Sequence, residues 1–216
     1  VPGDVPAFAT DPETARYYEQ RAREYDDWYA GQGAFARRER PAWDAEVRQI
    51  VEIVRGLAPC RTLDVACGTG FLTRHLRGFV VGIDQSASMV AITQSRIPNG
   101  LALVGDALRL PVADGSFERV FTGHFYGHLP PQEREAFLAE AARVARELVV
   151  VDTARRPEVP PERWEERVLN DGSRHRVYKR FLTGDQLASE LGGGSKLFDG
   201  RWFVAAAAAL RPSRQA

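Results

Sequence analysis

Between residues 61 and 152 short strand-like runs alternate with helix-periodic segments, and this alternation constrains the chain more than any other feature. Residues 61–66 are apolar and rich in β-branched side chains, 79–84 are continuously apolar up to a terminal acid, and 148–152 are apolar until Asp152. Residues 101–105 and 117–123 read as the strands between them. The intervening segments 71–77, 87–96 and 132–146 read as helices, with Ser86 suited to an N-cap and Pro131 to a first turn. Strands separated by helices run parallel, so the expected class is α/β with a doubly wound sheet.

The flanks read differently. Residues 1–12, with three prolines and a glycine, read as a loose arm. A helix is expected over 13–29, where Tyr17, Arg21, Tyr25 and Tyr29 recur every four residues and share a face. A second follows Pro41, with Trp43, Val47, Ile50, Val54 and Leu57 on one side. Both precede the first strand, so 1–58 reads as a helical lid on a core spanning 59–216. The proline-rich stretch after Thr153 predicts a long excursion with a short helical piece around Trp164, then a strand over 174–182; together 153–182 form an insertion. Arg174, His175, Arg176 and Tyr178 there suit either an anion site or an ordinary polar sheet face. A helix over 185–191 is stopped by three glycines, and Asp199-Gly200 predicts a two-residue hairpin turn. Ala205 to Ala209 favour helix by propensity, but the hairpin signal favours a strand, which is the reading adopted. Residues 211–216 read as a frayed tail.

Composition limits the function classes. The 216 residues carry 29 Lys plus Arg against 29 Asp plus Glu, so no basic excess calls for a nucleic-acid partner. Cys60 and Cys67 stand at opposite ends of an extended segment, where they cannot be bridged. Four scattered histidines make no metal-ligand spacing. No apolar run has the length of a membrane span and no signal-peptide pattern is present, so a cytoplasmic protein, monomer or homodimer, is the expectation.

The chemistry gathers after the first strand. Gly68 and Gly70 permit a tight strand-to-helix turn, and Asp64, Asp84 and Asp106 stand in or just beyond three successive strands, whose carboxyl ends share one edge of a parallel sheet. An acid ending the second strand can accept both hydroxyls of a ribose. The dinucleotide fingerprint needs a third glycine, but Thr73 occupies that position. A carboxylate beside the turn disfavours a pyrophosphate and favours a cationic ligand. S-adenosylmethionine fits better than NAD.

Asp64-Val65-Ala66-Cys67-Gly68-Thr69-Gly70 resembles motif I of the class I S-adenosylmethionine-dependent methyltransferases. Gly82-Ile83-Asp84 through Met89 resembles their acidic second-strand motif, and Gly105-Asp106-Ala107 their adenine-contacting loop. Tyr18 through Asp26 resembles the N-terminal aromatic segment of the ubiquinone/menaquinone-type branch of small-molecule methyltransferases. The resemblance implies a Rossmann-like, seven-stranded, mostly parallel sheet closed by a C-terminal antiparallel hairpin strand. It implies that Ala66, Gly68 and Gly70 approach the methionine part of the cofactor, with Asp64 near its ammonium. Asp84 then takes the ribose, Gln85 and Met89 flank the adenine, Asp106 and Ala107 meet its amino edge, and Tyr25 covers the cofactor. His124, just after the fourth strand, and His128 are the candidate catalytic residues for methyl transfer to a small-molecule acceptor. The readings set against this are an NAD-type oxidoreductase and a non-catalytic S-adenosylmethionine-binding protein.

Overall fold

Nine strands, β1 (Thr62–Val65), β2 (Val80–Asp84), β3 (Leu101–Val104), β4 (Arg119–Gly123), β5 (Glu147–Thr153), β6 (Glu162–Val168), β7 (Arg174–Arg180), β8 (Ser195–Asp199) and β9 (Phe203–Ala209), define the architecture of the computed structural model. It describes residues 7–36 and 38–210. The first half of the expected N-terminal arm and the whole expected tail lie outside the described residues. Seven strands form one sheet in the order β3-β2-β1-β4-β5-β9-β8; the first five are parallel, and β9 runs antiparallel to both β5 and β8. The strand order reverses between β1 and β4, which opens a crevice at their carboxyl ends.

Burial follows position in the sheet. Every residue of β1 and β2 is buried, whereas edge strand β3 leaves Leu101 half exposed. Alternate residues serve two cores. Leu63, Val120, Leu148, Val150 and Ala206 pack on the side of α5 (Pro131–Val144) and α6 (Gly184–Glu190). Phe121, Val149, Val151, Phe203 and Ala205 pack on the side of α3 (Trp43–Gly56). The alanine run is a strand: Ala205 to Ala209 pair with Val151 to Glu147. Ladder bonds and burial between two helical layers override helix propensity there.

Four local expectations are corrected. The first helix breaks into α1 (Pro12–Arg21), a 3-10 turn (Ala22–Glu24) and α2 (Asp27–Ala30), ended by Gly31 at φ +65°. Only a 3-10 turn, Thr73–His75, replaces the helix expected over 71–77. The piece around Trp164 is strand β6, paired with β7 in a separate two-stranded sheet. Its period is two, with Arg163, Glu165 and Arg167 on one face and Trp164 and Glu166 on the other. Finally, Asp199-Gly200 is no two-residue turn, because Gly200 to Trp202 separate β8 from β9. The Glu46 carboxylate, buried on α3, accepts the amides of Arg201, Trp202 and Phe203 and so widens the connection.

Candidate active site

The turn leaving β1 carries three positive φ angles, Ala66 at +56°, Gly68 at +55° and Gly70 at +74°. Its two glycines serve different neighbours. A Cβ on Gly70 would lie 2.9 Å from Thr93 Oγ1 and 3.2 Å from Thr93 Cα, so this glycine admits α4 (Ala87–Arg96) from behind. A Cβ on Gly68 would meet only the Tyr25 ring, at 3.8 Å, across the crevice. Gly68 faces the cavity, whereas Gly70 is absent from its lining.

Asp84 holds this turn in place. Its Oδ2 accepts the Gly68 amide and its Oδ1 the Ser86 amide, both at 2.9 Å. Burial raises its carboxyl above the ordinary value, against the amides of Ser86 and Gly68, which favour the anion. Each oxygen keeps lone-pair capacity for a further donor. Asp64 is buried deeper, at 2% exposure. Thr73 Oγ1 donates to its Oδ2 at 2.5 Å, and its Oδ1 has no partner among the described residues. Burial pushes its carboxyl up to about 8. Thr73, where a dinucleotide fold needs glycine, is therefore the hydroxyl that satisfies Asp64.

A cavity opens over the turn, walled by Tyr18, Tyr25, Ala66, Gly68, Asp84, Gln85, Asp106 and Ala107, with Phe8 and His124 completing it. Asp106 caps its own loop, accepting the Leu108 amide at 2.8 Å. Burial pushes the Tyr25 hydroxyl up to about 12, so it remains a donor. Met89 is not part of this wall. It is 1% exposed, its amide bonded to the N-cap hydroxyl of Ser86 and its side chain buried beneath α4. Of the ten expected cofactor contacts, Met89 and Gly70 thus sit behind the cavity. Asp64 lies in an adjoining recess with Ala66, Cys67 and Gly68.

The N-terminal helices are tied over this crevice by carboxylates whose role was not legible in the sequence. Glu19 on α1 accepts from Ser86 Oγ at 2.6 Å and from the Ser88 amide at 3.2 Å. Asp26 accepts from Thr69 Oγ1 at 2.5 Å and pairs with Arg96 at 2.7 Å. Glu133, near the start of α5, accepts the amides of Phe8 and Ala9 at 3.0 and 2.9 Å, holding the N-terminal strap on the cavity. A polar residue in a helical period signals only a surface position, so these long-range bonds have no local signature.

The two candidate histidines differ in environment. His124 follows β4 at φ +60°, ringed by Trp28, Tyr29 and Phe203, and neither ring nitrogen has a partner among the described residues. Burial lowers its pKa to about 4. His128 stacks on Phe8 with ring centroids 4.7 Å apart, and its Nδ1 lies 2.6 Å from the Tyr178 carbonyl oxygen. A carbonyl only accepts, so Nδ1 carries the proton and Nε2 the lone pair. Both histidines line a second, larger cavity of about 410 Å³ beyond the first. Among the described residues no group of three or more His, Cys, Asp or Glu is arranged to hold a metal ion, and no helix is long and apolar enough to cross a membrane.

The sequence and fold have known counterparts. A family model described as a methyltransferase domain matches residues 62–147. A demethylmenaquinone methyltransferase of Thermotoga maritima is 32% identical over 104 residues, which are 46% of this chain and 44% of that protein. Another, of Beutenbergia cavernae, is 39% identical over 108 residues, 47% of this chain and 44% of its own length. The chain thus spans somewhat under half the length of these curated relatives. A solved structure, the DhpI–SAH complex, superposes with a TM-score of 0.72 at 28% identity and covers 93% of this chain and 96% of its own. The crevice suits such a cofactor: a buried carboxylate with spare acceptor capacity ends β2, and the turn facing it leaves room above Gly68. The family match runs from β1 to the start of β5, so the segment that builds this crevice is similar to a methyltransferase domain.

Proposed function

We propose that this protein transfers a methyl group from S-adenosylmethionine to a small-molecule acceptor held between the N-terminal helices, the turn after β4 and the β6–β7 pair. Asp84 carries the proposal: a buried carboxylate, anchored by two backbone amides, on the wall of a cavity beside the glycine turn. In this reading it accepts the ribose hydroxyls, Gln85 flanks the adenine, and Asp106 with the Ala107 amide meets its amino edge. Backbone at Ala66 and Gly68 faces the methionine part, and the unpartnered Asp64 Oδ1 lies on the side of the ammonium. Gly70 and Met89 support that surface from behind.

The bound cofactor supplies a methyl group already activated on a sulfonium, so the protein's share is alignment and exclusion of water. Phe8, Tyr18 and Tyr25 exclude water from the first cavity. His124 lines both cavities and, neutral at physiological pH, accepts a hydrogen bond from the acceptor. His128 presents Nε2 as the base for an acceptor that must lose a proton. Residues 1–58 and 153–182 act as the lid on the core over 59–216. The free thiols of Cys60 and Cys67 support action in a reducing, cytoplasmic setting.

Calorimetry with S-adenosylhomocysteine and, separately, NAD tests the reading. S-adenosylhomocysteine is expected to bind, and Asp84→Ala to weaken it about 100-fold through loss of charge-assisted hydrogen bonds. Tight NAD binding with no response to S-adenosylhomocysteine overturns the assignment.

A further inference from the structure

The second cavity has a lopsided charge. Seven cationic side chains line it against the two carboxylates of Glu39 and Glu165, in a chain whose formal charges balance overall. Two further carboxylates approach from outside the lining, Asp152 on Lys179 at 2.5 Å and Glu158 on Arg156 at 3.6 Å, the latter shared with Arg201 at 2.8 Å. Seven cations against four carboxylates leave at least three positive charges uncompensated.

The strand pair and the lid helices deliver these charges together. Arg163, Glu165 and Arg167 share one face of β6, and Lys179 is the cross-strand partner of Arg163. Glu165 bridges the two arginines, to Arg163 at 2.6 Å and to Arg167. Arg21 arrives from α1, hydrogen-bonded to the Tyr17 hydroxyl with its guanidinium 5.0 Å from the Tyr25 ring centroid; among the described residues it pairs with no carboxylate. Arg38 likewise has no ion pair there. Desolvation and the proximity of Arg167 hold its guanidinium below the ordinary value, as like charges crowd it.

Among the described residues, two side chains in this cavity hold polar atoms without a partner. Arg167 Nε is buried with nothing to donate to, and both ring nitrogens of His124, itself 92% buried, are unpartnered. A buried donor left without an acceptor is unfavourable, and crowded guanidiniums add repulsion. Planar guanidiniums match the oxygens of carboxylate and phosphate groups. The enclosed volume suits a small molecule and is too small for a polymer.

We propose that the methyl acceptor is a small molecule bearing an oxyanion group, a phosphate, phosphonate or carboxylate, and that Arg163 and Arg167, with Arg21 and Arg38 opposite, hold that group in the second cavity. This rests on reading the adjoining cavity as the methyl-donor site. Arg174 and Arg176 take no part: they lie on the other face of the strand pair, paired with Glu166 and stacked on Trp164.

The test is calorimetry on the full chain at constant ionic strength, with and without saturating S-adenosylhomocysteine. The probes are ethylphosphonate, inorganic phosphate and propionate, with propionamide as a neutral isostere. Binding of at least one anion, and not of propionamide, is expected; comparing the phosphorus oxyanions with propionate distinguishes the source. Arg167→Gln is expected to weaken the anion about tenfold or more, while S-adenosylhomocysteine affinity stays within about twofold. Arg167→Lys, which keeps charge but loses the planar fork, falls between, and Arg174→Gln changes neither. Binding of S-adenosylhomocysteine with no anion binding, or propionamide binding as well as propionate, overturns the anion site while leaving the methyltransferase reading intact. Anion binding without any S-adenosylhomocysteine binding overturns the donor site instead. Should Arg167→Gln fail to fold, the wild-type comparison of anions with propionamide still decides.

Discussion

Gly68 and Gly70 look equivalent in the motif, yet their surroundings differ. An alanine at 70 meets both a left-handed backbone and Thr93, whereas one at 68 meets open cavity. Gly70→Ala is expected to cost about 3 kcal/mol by urea unfolding, while the folded fraction binds S-adenosylhomocysteine almost normally. Gly68→Ala is expected to cost about 1 kcal/mol but to weaken the cofactor, since its methyl group projects into the cavity. Equal behaviour of the two in both measurements would remove the distinction. The motif located the turn, because a positive φ favours glycine over residues with a side chain. Which neighbour each glycine admits depends on α4 and Tyr25, which arrive from elsewhere in the chain. Thr73 belongs to the same lesson: as a missing glycine it argued against a dinucleotide, and only the fold shows its hydroxyl on Asp64.

At the level of elements, buried carboxylates join parts that are distant in the chain. Glu133 on α5 accepts two amides and the Thr10 hydroxyl from the N-terminal strap. Glu133→Ala is expected to speed hydrogen exchange at Phe8 and Ala9 and to weaken S-adenosylhomocysteine, leaving protection of β1 and β4 unchanged. Unchanged exchange at Phe8 would show that aromatic packing on His128 suffices to hold the strap. Strand periods in the sheet core were legible because burial on both faces leaves apolar runs. The amphiphilic β6 was not, since alternating arginine and glutamate carries no apolar period and its partner β7 lies across a turn. The helix expected over 13–29 is interrupted for a related reason: its aromatic stripe is real, but the chain turns at Ala22–Glu24 and the ties of Asp26 hold it over the crevice.

For the whole molecule, the buried titratable groups set the pH dependence of stability. His124 has a folded pKa of about 4, below its ordinary 6.5, so its contribution is present above 6.5 and lost as pH falls towards 4. Burial lowers His128 in the same direction. Asp64 is raised from 3.8 to about 8, so its contribution is present at low pH and lost as pH rises to 8; burial raises Asp84 too. His124 and Asp64 oppose one another between about 4 and 6.5, and above 6.5 Asp64 alone of the two acts. Stability is expected to fall by about 2 kcal/mol from Asp64 alone between pH 6.5 and 8, and Asp64→Asn to flatten that decline in urea titrations. A decline that persists in Asp64→Asn would assign it to another group.

The sequence by itself determined the strand–helix alternation, the crevice at the carboxyl ends and the acids that stand there, because hydrophobic period and backbone sterics act over a few residues. The family resemblance rested on those same local features. Tertiary structure alone decided which expected residues reach the cavity, leaving Met89 and Gly70 behind it. It also decided that Arg21, Arg38, Arg163 and Arg167 converge on one cavity in a chain of zero net charge. Composition sums charge over the whole surface, whereas a binding site depends on the distances between charges, and those exist only once the lid and the β6–β7 pair have folded around the same space.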